Sequence, residues 1–485
     1  MTNENDYEKI GFRCGIEIHN RLATRAKLFC ECPAKFSSEQ PALTIIRKLR
    51  PVAGELGKID AAAVHEYLRD KTFHYQIFRD TTCLVEIDEE PPHELNPEAL
   101  EICLQVAKLL RAEIPEEIHV MRKTVIDGSN TAGFQRTALV ATNGILETSL
   151  GPVRIENISV EEESAGIVER AEGKVIYRLD RLGIPLIEIG TAADIKSPEH
   201  AAEVAEKLGA AVRATGKSQR GLGSIRQDVN VSISGGARVE IKGFQALEEI
   251  SNVIKVEIER QRSIIASGGR VEKEVRAARQ DGTTEFMRPL PGGARMYPET
   301  DIPPIVITKE FLAKIKLPES WESKLERLKK VLPTELAEQM LRSEHYQLYE
   351  KYSKSVEPVV VANIFSSTLK DLRRRGLPVG NLSDAHFEEI FKLLSEKKIS
   401  KEAVPGILEK LCAEPAKKIS EISESFGAAM TEEDLRKIVR MAFQAFPNLV
   451  KEKKLSALMG EVMKQVRGRI DGAVVKRIVE EEMGK

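Results

Sequence analysis

Two short segments carry side chains whose types and spacing could support metal-dependent phosphate chemistry. In the segment GIEIHNRL, polar and apolar residues alternate, which is typical of a β-strand with two unlike faces. This alternation places Glu17 and His19 on one face and Ile16 and Ile18 on the other. A lone carboxylate, Glu188, interrupts the otherwise apolar segment IPLIEIG. Both segments therefore present ligand-type groups from an apolar-backed strand.

Two further segments, SIRQDVNVSIS and RVEIKGF, add polar rows of the same kind. These rows consist of Arg226, Asp228, Asn230 and Ser232 in the first segment, and of Glu240 and Lys242 in the second. Carboxylates, imidazoles and amides suit a Mg²⁺ ion that is shared with phosphates, and the basic groups could offset phosphate charge. A sheet face that simply meets water alternates in the same way. The pattern alone leaves both interpretations open.

An acidic run and a glycine-rich segment are weaker signals. The run VEEESAG contains Glu161, Glu162 and Glu163 before small residues, and it fits either a carboxylate site or an ordinary charged turn. The segment GLGSIR, at residues 221–226, is only a weak phosphate-loop pattern. The chain contains neither a Walker A motif nor a dinucleotide-binding glycine motif. If ATP binds, we expect it to bind without a Walker loop.

The cysteines and the apolar runs bear on zinc and on cellular location. Cys30 and Cys32 could supply half of a zinc site, but no second paired motif follows, so we expect loop cysteines. The six cysteines are scattered over the chain, which fits a reducing compartment rather than a disulfide framework. No apolar run approaches the roughly 20 residues of a membrane span. We expect a cytoplasmic protein that is not bound to a membrane.

The elements that position these segments are predicted to form an α+β fold. Over residues 1–310, short alternating runs between Gly, Pro and Asp predict a domain with mainly antiparallel sheets. Ser197, Pro198 and Gly216 mark the beginning and end of one helix in it. Beyond residue 305 the strand patterns give way to helical periodicity. We expect an all-α helical domain at residues 311–427 and a small three-helix tail at 428–485.

The charge of the chain is nearly balanced, at a formal net value of -2, so a nucleic-acid surface would have to be a local patch. The tail contains such a basic excess, and contacts with RNA phosphates would make binding salt-dependent. A solvated helix surface is the alternative interpretation. The candidate contacts are Lys451, Lys453, Lys454, Lys464, Arg467 and Arg469.

A series of sequence blocks resembles the GatB/GatE family of tRNA-dependent amidotransferases, and within it the archaeal GatE members. The resemblance spans nearly the whole chain, and the distinction from bacterial GatB members is carried by RKLRPVAGELG and DGSNTAGFQRTALV. The other blocks include GIEIHNRLATRAKLFCECP, ISVEEESAG, DRLGIPLIEIGT, GSIRQDVNVSI, VEIKGF, ARMYPETDIPP and ALMGEVMKQVRGR. The family implies a cradle-like catalytic domain, a helical domain and a tail that binds tRNA.

The resemblance also implies an activity, cofactors and partners. ATP and Mg²⁺ would serve to phosphorylate the γ-carboxylate of the glutamate on Glu-tRNA(Gln), and ammonia would then displace the phosphate. The ammonia would come from GatD, an asparaginase-like partner, in a heterodimer or a dimer of heterodimers. One alternative is a GatB-like protein that works with a GatA-type amidase and also accepts Asp-tRNA(Asn). Another is a non-catalytic tRNA-binding scaffold, which would not need to retain these acidic rows.

Individual family residues correspond to positions of this chain. His19 and Glu17 match the essential histidine and its neighbouring acid, and Glu163 and Glu188 match the two carboxylates that hold Mg²⁺ with the histidine. Arg226, Asp228, Asn230, Glu240 and Lys242 lie in matching strands and are expected to bind the nucleotide. Two departures stand out. The paired zinc cysteines found in GatB members are reduced to Cys30 and Cys32, and the inserted domain usual in GatE members is absent from residues 271–286.

Overall fold

The chain folds into two compact units, Met1–Trp321 and Glu322–Lys485. The computed structural model describes residues 4–53, 57–219, 223–244, 247–279, 281–290, 296–343, 345–424, 430–451, 454–466, 470 and 472–483. The described strands all lie in the first unit, and the described secondary structure of the second is helical. The predicted α+β class and the change of texture after residue 305 are therefore confirmed. The division of the helical part near residue 427 stays a prediction.

The first unit is built mainly of strands. The strands are β1 Arg13–Arg21, β2 Leu43–Arg47, β3 Thr72–Ile77, β4 Glu117–Ile118, β5 Val120–Thr124, β6 Phe134–Leu146, β7 Val153–Glu162, β8 Gly166–Ala171, β9 Lys174–Arg178, β10 Pro185–Thr191, β11 Ile225–Ser232, β12 Val239–Phe244, β13 Glu274–Ala278, β14 Thr284–Pro289, β15 Met296–Pro298 and β16 Ile305–Val306. The helices are α1 Glu4–Lys9, α2 Ala61–Tyr67, α3 Pro97–Leu109, α4 Pro198–Ala214, α5 Leu247–Ala266 and α6 Lys309–Lys314.

Ten of these strands form one large sheet in the order β14-β13-β12-β11-β1-β10-β7-β6-β5-β15. Its neighbours pair antiparallel, apart from the parallel pair β12 and β13. The order brings β1, β10 and β11 together although they are far apart in sequence, with β1 between the other two. A smaller sheet has the order β2-β3-β9-β8, and β16 pairs with β4. The central position of β1 makes it the strand around which the polar rows converge.

The apolar rows of the large sheet are covered by helices. Ile16 and Ile18 of β1 are buried in one core together with residues of α3, α4 and α5. The predicted helix beginning is confirmed, because the Ser197 side chain accepts a hydrogen bond from the His200 backbone N–H and Pro198 is the first helical residue. With the apolar face covered in this way, the opposite face of the sheet is left to carry the polar rows.

A tight hairpin joins β13 and β14 at the place where the resemblance puts the missing inserted domain. The backbone N–H of Arg279 donates to the Thr283 carbonyl, and that of Gly282 donates to the Arg279 carbonyl. Gly282 has a φ of +80°, a conformation that suits glycine, and the Asp281 side chain accepts from Thr283. The strands are therefore closed by a short local turn.

In its described residues the second unit is built of α-helices, with short 3₁₀ and π segments between some of them. The helices are α7 Trp321–Lys329, α8 Thr334–Arg342, α9 Tyr346–Tyr352, α10 Pro358–Asn363, α11 Leu369–Arg374, α12 Asp384–Ser395, α13 Val404–Ala413, α14 Ile419–Glu424, α15 Glu432–Ala445, α16 Pro447–Lys451, α17 Leu455–Val466 and α18 Gly472–Met483. Residues of α15, α17 and α18 form one buried core. The short helix α16 was not predicted, so the described tail has four helices rather than three. No helix in the described ranges has the length and apolar character of a membrane span.

Candidate functional site

A charged cavity lies over the polar face of the large sheet. Its volume is about 660 Å³, and side chains of β1, β10, β11 and β12 line it together with parts of β5, β7, α2 and β14. Strand register explains this convergence. His19 pairs with Glu188 on one side and with Arg226 on the other, and Glu17 pairs with Asp228. Paired residues of neighbouring strands point to the same face, so the four predicted rows form one continuous surface.

His19 and Glu188 form the centre of this surface. The His19 Nε2 and a Glu188 carboxylate oxygen are 3.2 Å apart, and the Lys123 ammonium lies 3.4 Å from the same oxygen. Lys123 also forms an ion pair with Glu161, which is almost fully buried. Donor atoms of His19, Glu161 and Glu188 lie within 4.8 Å of one another. This set of one imidazole and two carboxylates fits a Mg²⁺ ion, because hard oxygen ligands can converge on one point.

Charge interactions set the protonation of this centre. Burial raises the pKa of Glu161, and the neighbouring Glu188 raises it further. Burial opposes ionisation of Glu188, but Lys123 and His19 outweigh it and hold the pKa of Glu188 well below its ordinary value. Burial also opposes protonation of His19, but the hydrogen bond to Glu188 raises its pKa above the ordinary value. The pKa values of Glu161 and Glu188 are therefore shifted in opposite directions, as is common in functional sites.

A second acidic group adjoins the first along β1. Donor atoms of Glu17, His19 and Asp228 also lie within 4.8 Å of one another. The Asn230 amide is 3.4 Å from a Glu17 oxygen. Burial, followed by repulsion from Glu188 and another nearby carboxylate, raises the pKa of Glu17. Glu17 is therefore a carboxylate that accepts a proton more readily than an ordinary one.

Lys242 neutralises the outer part of this group. Its ammonium forms ion pairs with Asp228 and, at 2.5 Å, with Glu240. Burial opposes its charge, but these two carboxylates outweigh the effect and raise the pKa of Lys242. The five residues expected to bind the nucleotide thus lie on the same sheet face as His19. Four of them, Arg226, Asp228, Glu240 and Lys242, line the cavity.

The structure places Glu163 apart from the His19 centre. Glu163 lies just beyond the end of β7, and its carboxylate accepts from the Arg226 guanidinium at 2.7 Å and from the Ser164 backbone N–H. The position beside His19 and Glu188 is occupied by Glu161 instead. The physical reason is that β7 ends at Glu162, so the strand alternation that points Glu161 into the cavity does not extend to Glu163.

Asn157 supports Glu188 from the neighbouring strand β7, and Gly190 of β10 makes room for it. The Asn157 amide nitrogen lies 3.4 Å from a Glu188 oxygen. A Cβ atom added at Gly190 would lie 2.4 Å from the Asn157 amide oxygen. A side chain at Gly190 would therefore displace Asn157, so the glycine is needed for this arrangement.

The structure changes the expectation for Cys30 and Cys32. It brings Cys83 and Glu86 beside them, and donor atoms of all four side chains lie within 4.8 Å of one another. Three thiols and one carboxylate are a donor set that fits tetrahedral zinc. The Cys30 thiol donates to Glu86 at 2.9 Å, and the buried Lys27 ammonium lies 3.1 Å from the same oxygen. The premise of an isolated cysteine pair was therefore wrong.

This second cluster contains one acidic thiol. Hydrogen bonds from Cys30 and Cys32 hold the pKa of Cys83 far below its ordinary value. Hydrogen bonds with Cys32 and Cys83, together with burial, raise the pKa of Cys30. Thiolates are the form of cysteine that binds metals. The four residues Cys30, Cys32, Cys83 and Glu86 are named the thiol cluster below.

The predicted tRNA-binding residues lie only partly within the described chain. Lys451, Lys454 and Lys464 are exposed, and Lys464 pairs with Glu461 at 2.7 Å. Lys453, Arg467 and Arg469 lie outside the described residues. Other arginines of the tail form ion pairs within it, such as Arg436 with Glu482. The three exposed lysines are therefore the described part of the predicted basic surface.

Several residues of the cavity and of the thiol cluster were not singled out from the sequence. Lys123 lies in a short strand with no clear alternation, and Asn157 carries no motif. Cys83 and Glu86 are separated by more than fifty residues from Cys30, so only the fold brings them together. Glu161 did carry a signal, because it precedes Glu163 in the same acidic run.

Comparison with known proteins connects this geometry to a family. Residues 12–313 match the GatB/GatE catalytic domain, and residues 347–483 match the GatB domain. The GatE subunit of the Glu-tRNA(Gln) amidotransferase from Methanocaldococcus jannaschii is 37% identical over 626 residues, covering 99% of this chain and 99% of that protein. The GatE subunit from Archaeoglobus fulgidus is 37% identical over 602 residues, covering 97% of each. That from Halobacterium salinarum is 35% identical over 622 residues, covering 99% of each.

The lengths of these alignments bear on the missing inserted domain. The alignment with the M. jannaschii protein extends over 626 residues, which is 141 more than the 485 residues of this chain. At least that number of positions in the relative has no counterpart here, which agrees with a missing insertion. The two family matches fall in the two compact units, and the first of them alone covers more than half of the chain. The chain belongs to the GatB/GatE family.

Proposed function

We propose that this chain is the transamidating component of a Glu-tRNA(Gln) amidotransferase. The activity is the ATP-dependent conversion of the glutamate on Glu-tRNA(Gln) to glutamine. The observation that carries the proposal is the row formed by the buried Glu161 and the partly exposed His19 and Glu188, which lies at the floor of a charged cavity. The near full-length similarity to GatE subunits of Glu-tRNA(Gln) amidotransferases supports the choice of substrate.

The first step activates a carboxylate. An oxygen of the glutamyl γ-carboxylate attacks the γ-phosphorus of ATP, and ADP leaves, so that a poor leaving group becomes the phosphate of an acyl phosphate. A bound Mg²⁺ ion would supply neutralisation of the charge on the phosphates. His19, Glu161 and Glu188 would hold the ion. Lys123 forms ion pairs with both carboxylates and so holds them in place.

The second step forms the amide. The nitrogen of ammonia attacks the activated carbonyl carbon, the bond to phosphate breaks, and a proton must leave the nitrogen. Glu17 is suited to accept this proton, because burial and neighbouring acids raise its pKa. Lys242, held by Asp228 and Glu240, places a positive charge in the cavity wall that can stabilise the departing phosphate.

The ammonia is proposed to come from a partner of the GatD type, which resembles asparaginases. A GatA-type amidase partner with additional use of Asp-tRNA(Asn) is the alternative. Purification of the chain from its source together with its natural partner would distinguish these two alternatives, because the co-purifying protein would be either asparaginase-like or amidase-like.

The exposed lysines Lys451, Lys454 and Lys464 are proposed to contact tRNA phosphates. A non-catalytic scaffold would have no use for the buried ion-pair network around His19.

The test is an assay with free ammonia, which makes the partner unnecessary. We expect the purified chain to convert Glu-tRNA(Gln) to Gln-tRNA(Gln) only when ATP and Mg²⁺ are both present. The double variant His19→Ala, Glu188→Ala should lose at least about a thousandfold in rate, because it removes two of three ligand groups. The released amino acids are separated and counted after hydrolysis of the tRNA.

A matched control is available on the surface. His93 and Glu90 form an exposed pair at 3.1 Å, the same kind of contact as His19 and Glu188. The double variant His93→Ala, Glu90→Ala should retain the wild-type rate. Full turnover of the His19, Glu188 variant would contradict the site, and the absence of wild-type turnover with both tRNA substrates would contradict the proposed activity.

A further inference from the structure

A cluster of arginines surrounds Glu163 at one end of the cavity. Arg226 donates to the Glu163 carboxylate at 2.7 Å, and the charges of Arg21 and Arg181 also act on this carboxylate. Glu163 and Arg21 are both buried. Arg181 and Arg226 line the cavity together with Ser164. The site already described uses only Arg226 of these groups.

The polar atoms of this cluster are incompletely matched. Among the described residues, the buried Arg21 Nε and one buried oxygen of Glu163 have no hydrogen-bond partner. The Arg21 guanidinium lies over the Phe36 ring at 5.0 Å, which is a weak substitute for a counter-ion. Buried polar atoms are usually paired, and exceptions call for an explanation such as an absent ion or ligand.

The charges are also unbalanced. Within the described residues, the charges of three arginines act on one carboxylate, because the nearby Asp180 is held by the Arg178 guanidinium and by the Ser37 backbone N–H. The Arg181 guanidinium donates to the carbonyls of Ser164 and Ala165. Carbonyl acceptors fix its position without cancelling its charge. A multiply charged anion would restore the balance.

The position of the cluster identifies the kind of anion. Arg226 pairs directly with His19 across the sheet, and Arg21 follows His19 by two residues on the same strand and face. Arg21 and Arg226 thus adjoin the carboxylate and imidazole groups on the sheet, and Arg181 lies in the segment between β9 and β10. Phosphate groups that share a metal ion with those ligands would extend toward the arginines, and arginine is suited to phosphate oxygens.

We propose that Arg21, Arg181 and Arg226 form the binding site for the triphosphate of the nucleotide, and that Glu163 is its resident counter-ion. This inference rests on the proposed function, since it assigns a place to the ATP of that reaction. Arg181 and Arg226 contact the phosphates directly, and Arg21 adds buried positive charge behind them. The phosphates replace the Glu163 carboxylate as the partner of Arg226. Glu163 therefore competes with the nucleotide.

The test measures binding of inorganic tripolyphosphate to the full chain by calorimetry, with EDTA present and without tRNA or ammonia. Glu163→Gln should bind tripolyphosphate about tenfold more tightly, because the competing charge is gone. Arg181→Gln should bind it at least about tenfold more weakly, because a guanidinium that contacts phosphate is removed. Loss of folding does not produce tighter binding, so the Glu163 variant tests the inference even if Arg181→Gln unfolds.

Two control variants at exposed positions and two contrary results complete the test. Glu156→Gln, an exposed change on β7, and Arg154→Gln, at an exposed arginine paired with Asp194, should leave the affinity unchanged. Weaker or unchanged binding by Glu163→Gln would overturn the inference. So would a gain in affinity for an RNA oligomer ending in CCA without a gain for tripolyphosphate, because the occupant would then be the RNA backbone. These measurements need no turnover, so they are independent of the activity assay.

Discussion

The first unit contains two groups of side chains that could hold a metal ion, and they differ in ligand chemistry and in the space beside them. The His19 centre opens into a cavity, and the side chains of His19 and Glu188 are 15% and 13% exposed. In the thiol cluster, Cys32 and Cys83 are also partly exposed, but the Glu86 side chain and its Lys27 partner are only 1% and 0% exposed. The first group consists of hard ligands from several strands, whereas the second is dominated by sulfur.

We propose that the difference corresponds to two uses of a metal ion. A catalytic site must leave room for substrate atoms beside the protein ligands, and the cavity provides that room. A structural site is closed by four protein ligands, and three thiols with one carboxylate complete such a set. The comparison predicts that changes in the His19 centre affect catalysis more than stability, and that changes in the thiol cluster do the reverse.

The largest expected effect is a difference in Mn²⁺ affinity between variants of two carboxylates in the same acidic run. Glu161→Gln should raise the dissociation constant of Mn²⁺ by about tenfold or more, because a carboxylate within ligand distance of His19 is removed. Glu163→Gln should change it by less than about twofold, since its carboxylate pairs with Arg226 instead. Electron paramagnetic resonance of free Mn²⁺, without nucleotide, measures both constants.

A larger effect of Glu163→Gln than of Glu161→Gln on Mn²⁺ binding would contradict the comparison. If Glu163→Gln weakened Mn²⁺ binding more than Glu161→Gln, the family-based assignment of Glu163 as a metal ligand would be correct. The same spectra with Glu156→Gln, at an exposed residue of the same strand, provide the baseline.

An intermediate effect is expected in the thiol cluster. The purified chain should contain about one zinc ion, and Cys83→Ala should lose it because one of four ligands is removed. The unfolding midpoint should then fall by about 5 °C, while kcat with free ammonia stays within about twofold. Elemental analysis and thermal melting measure the two quantities.

Cys103→Ala is the matched control, because Cys103 is a buried cysteine of α3 outside the thiol cluster. It should keep the zinc. A wild-type chain free of zinc would mean that the thiol cluster is held by the Lys27 and Glu86 ion pair alone. A large loss of kcat in Cys83→Ala without a change in melting would remove the distinction between the two groups.

The smallest effect is expected in the tail, where substitutions should alter neither the His19 centre nor the thiol cluster. The triple variant Lys451→Gln, Lys454→Gln, Lys464→Gln should weaken tRNA binding and reduce its salt slope by about one unit for each of these lysines that binds a phosphate. Metal binding and melting should stay as in the wild type. Filter binding at several salt concentrations measures the slope, with Lys437→Gln, a paired surface lysine, as the control. An unchanged slope would mean that these lysines form an ordinary solvated surface.

The sequence predicted the polar face of the sheet well because strand alternation is a local property. Glu17 and His19 share a face as expected, and the register places them opposite Asp228 and Arg226. Capping signals were equally reliable, since Ser197 begins a helix as expected.

Long-range features were the part that local patterns could not supply. The approach of Cys83 to Cys30 depends on how distant segments pack, and alternation gives no information on that. Which of Glu161 and Glu163 lies beside His19 depends on the residue at which β7 ends. A shift of two residues there would leave the composition of the acidic run unchanged and alter which carboxylate meets His19.

The hairpin between β13 and β14 has a consequence for how such chains diversify. The turn marked by the hydrogen bonds of Arg279, Gly282 and Thr283 closes two strands that already pair with each other, so its two ends are held close together by the sheet. A folded module with neighbouring termini could be gained or lost at this turn while the pairing of β13 with β14 is kept. A recognition domain can therefore be inserted or exchanged at this turn while the strand pairing of the large sheet is kept.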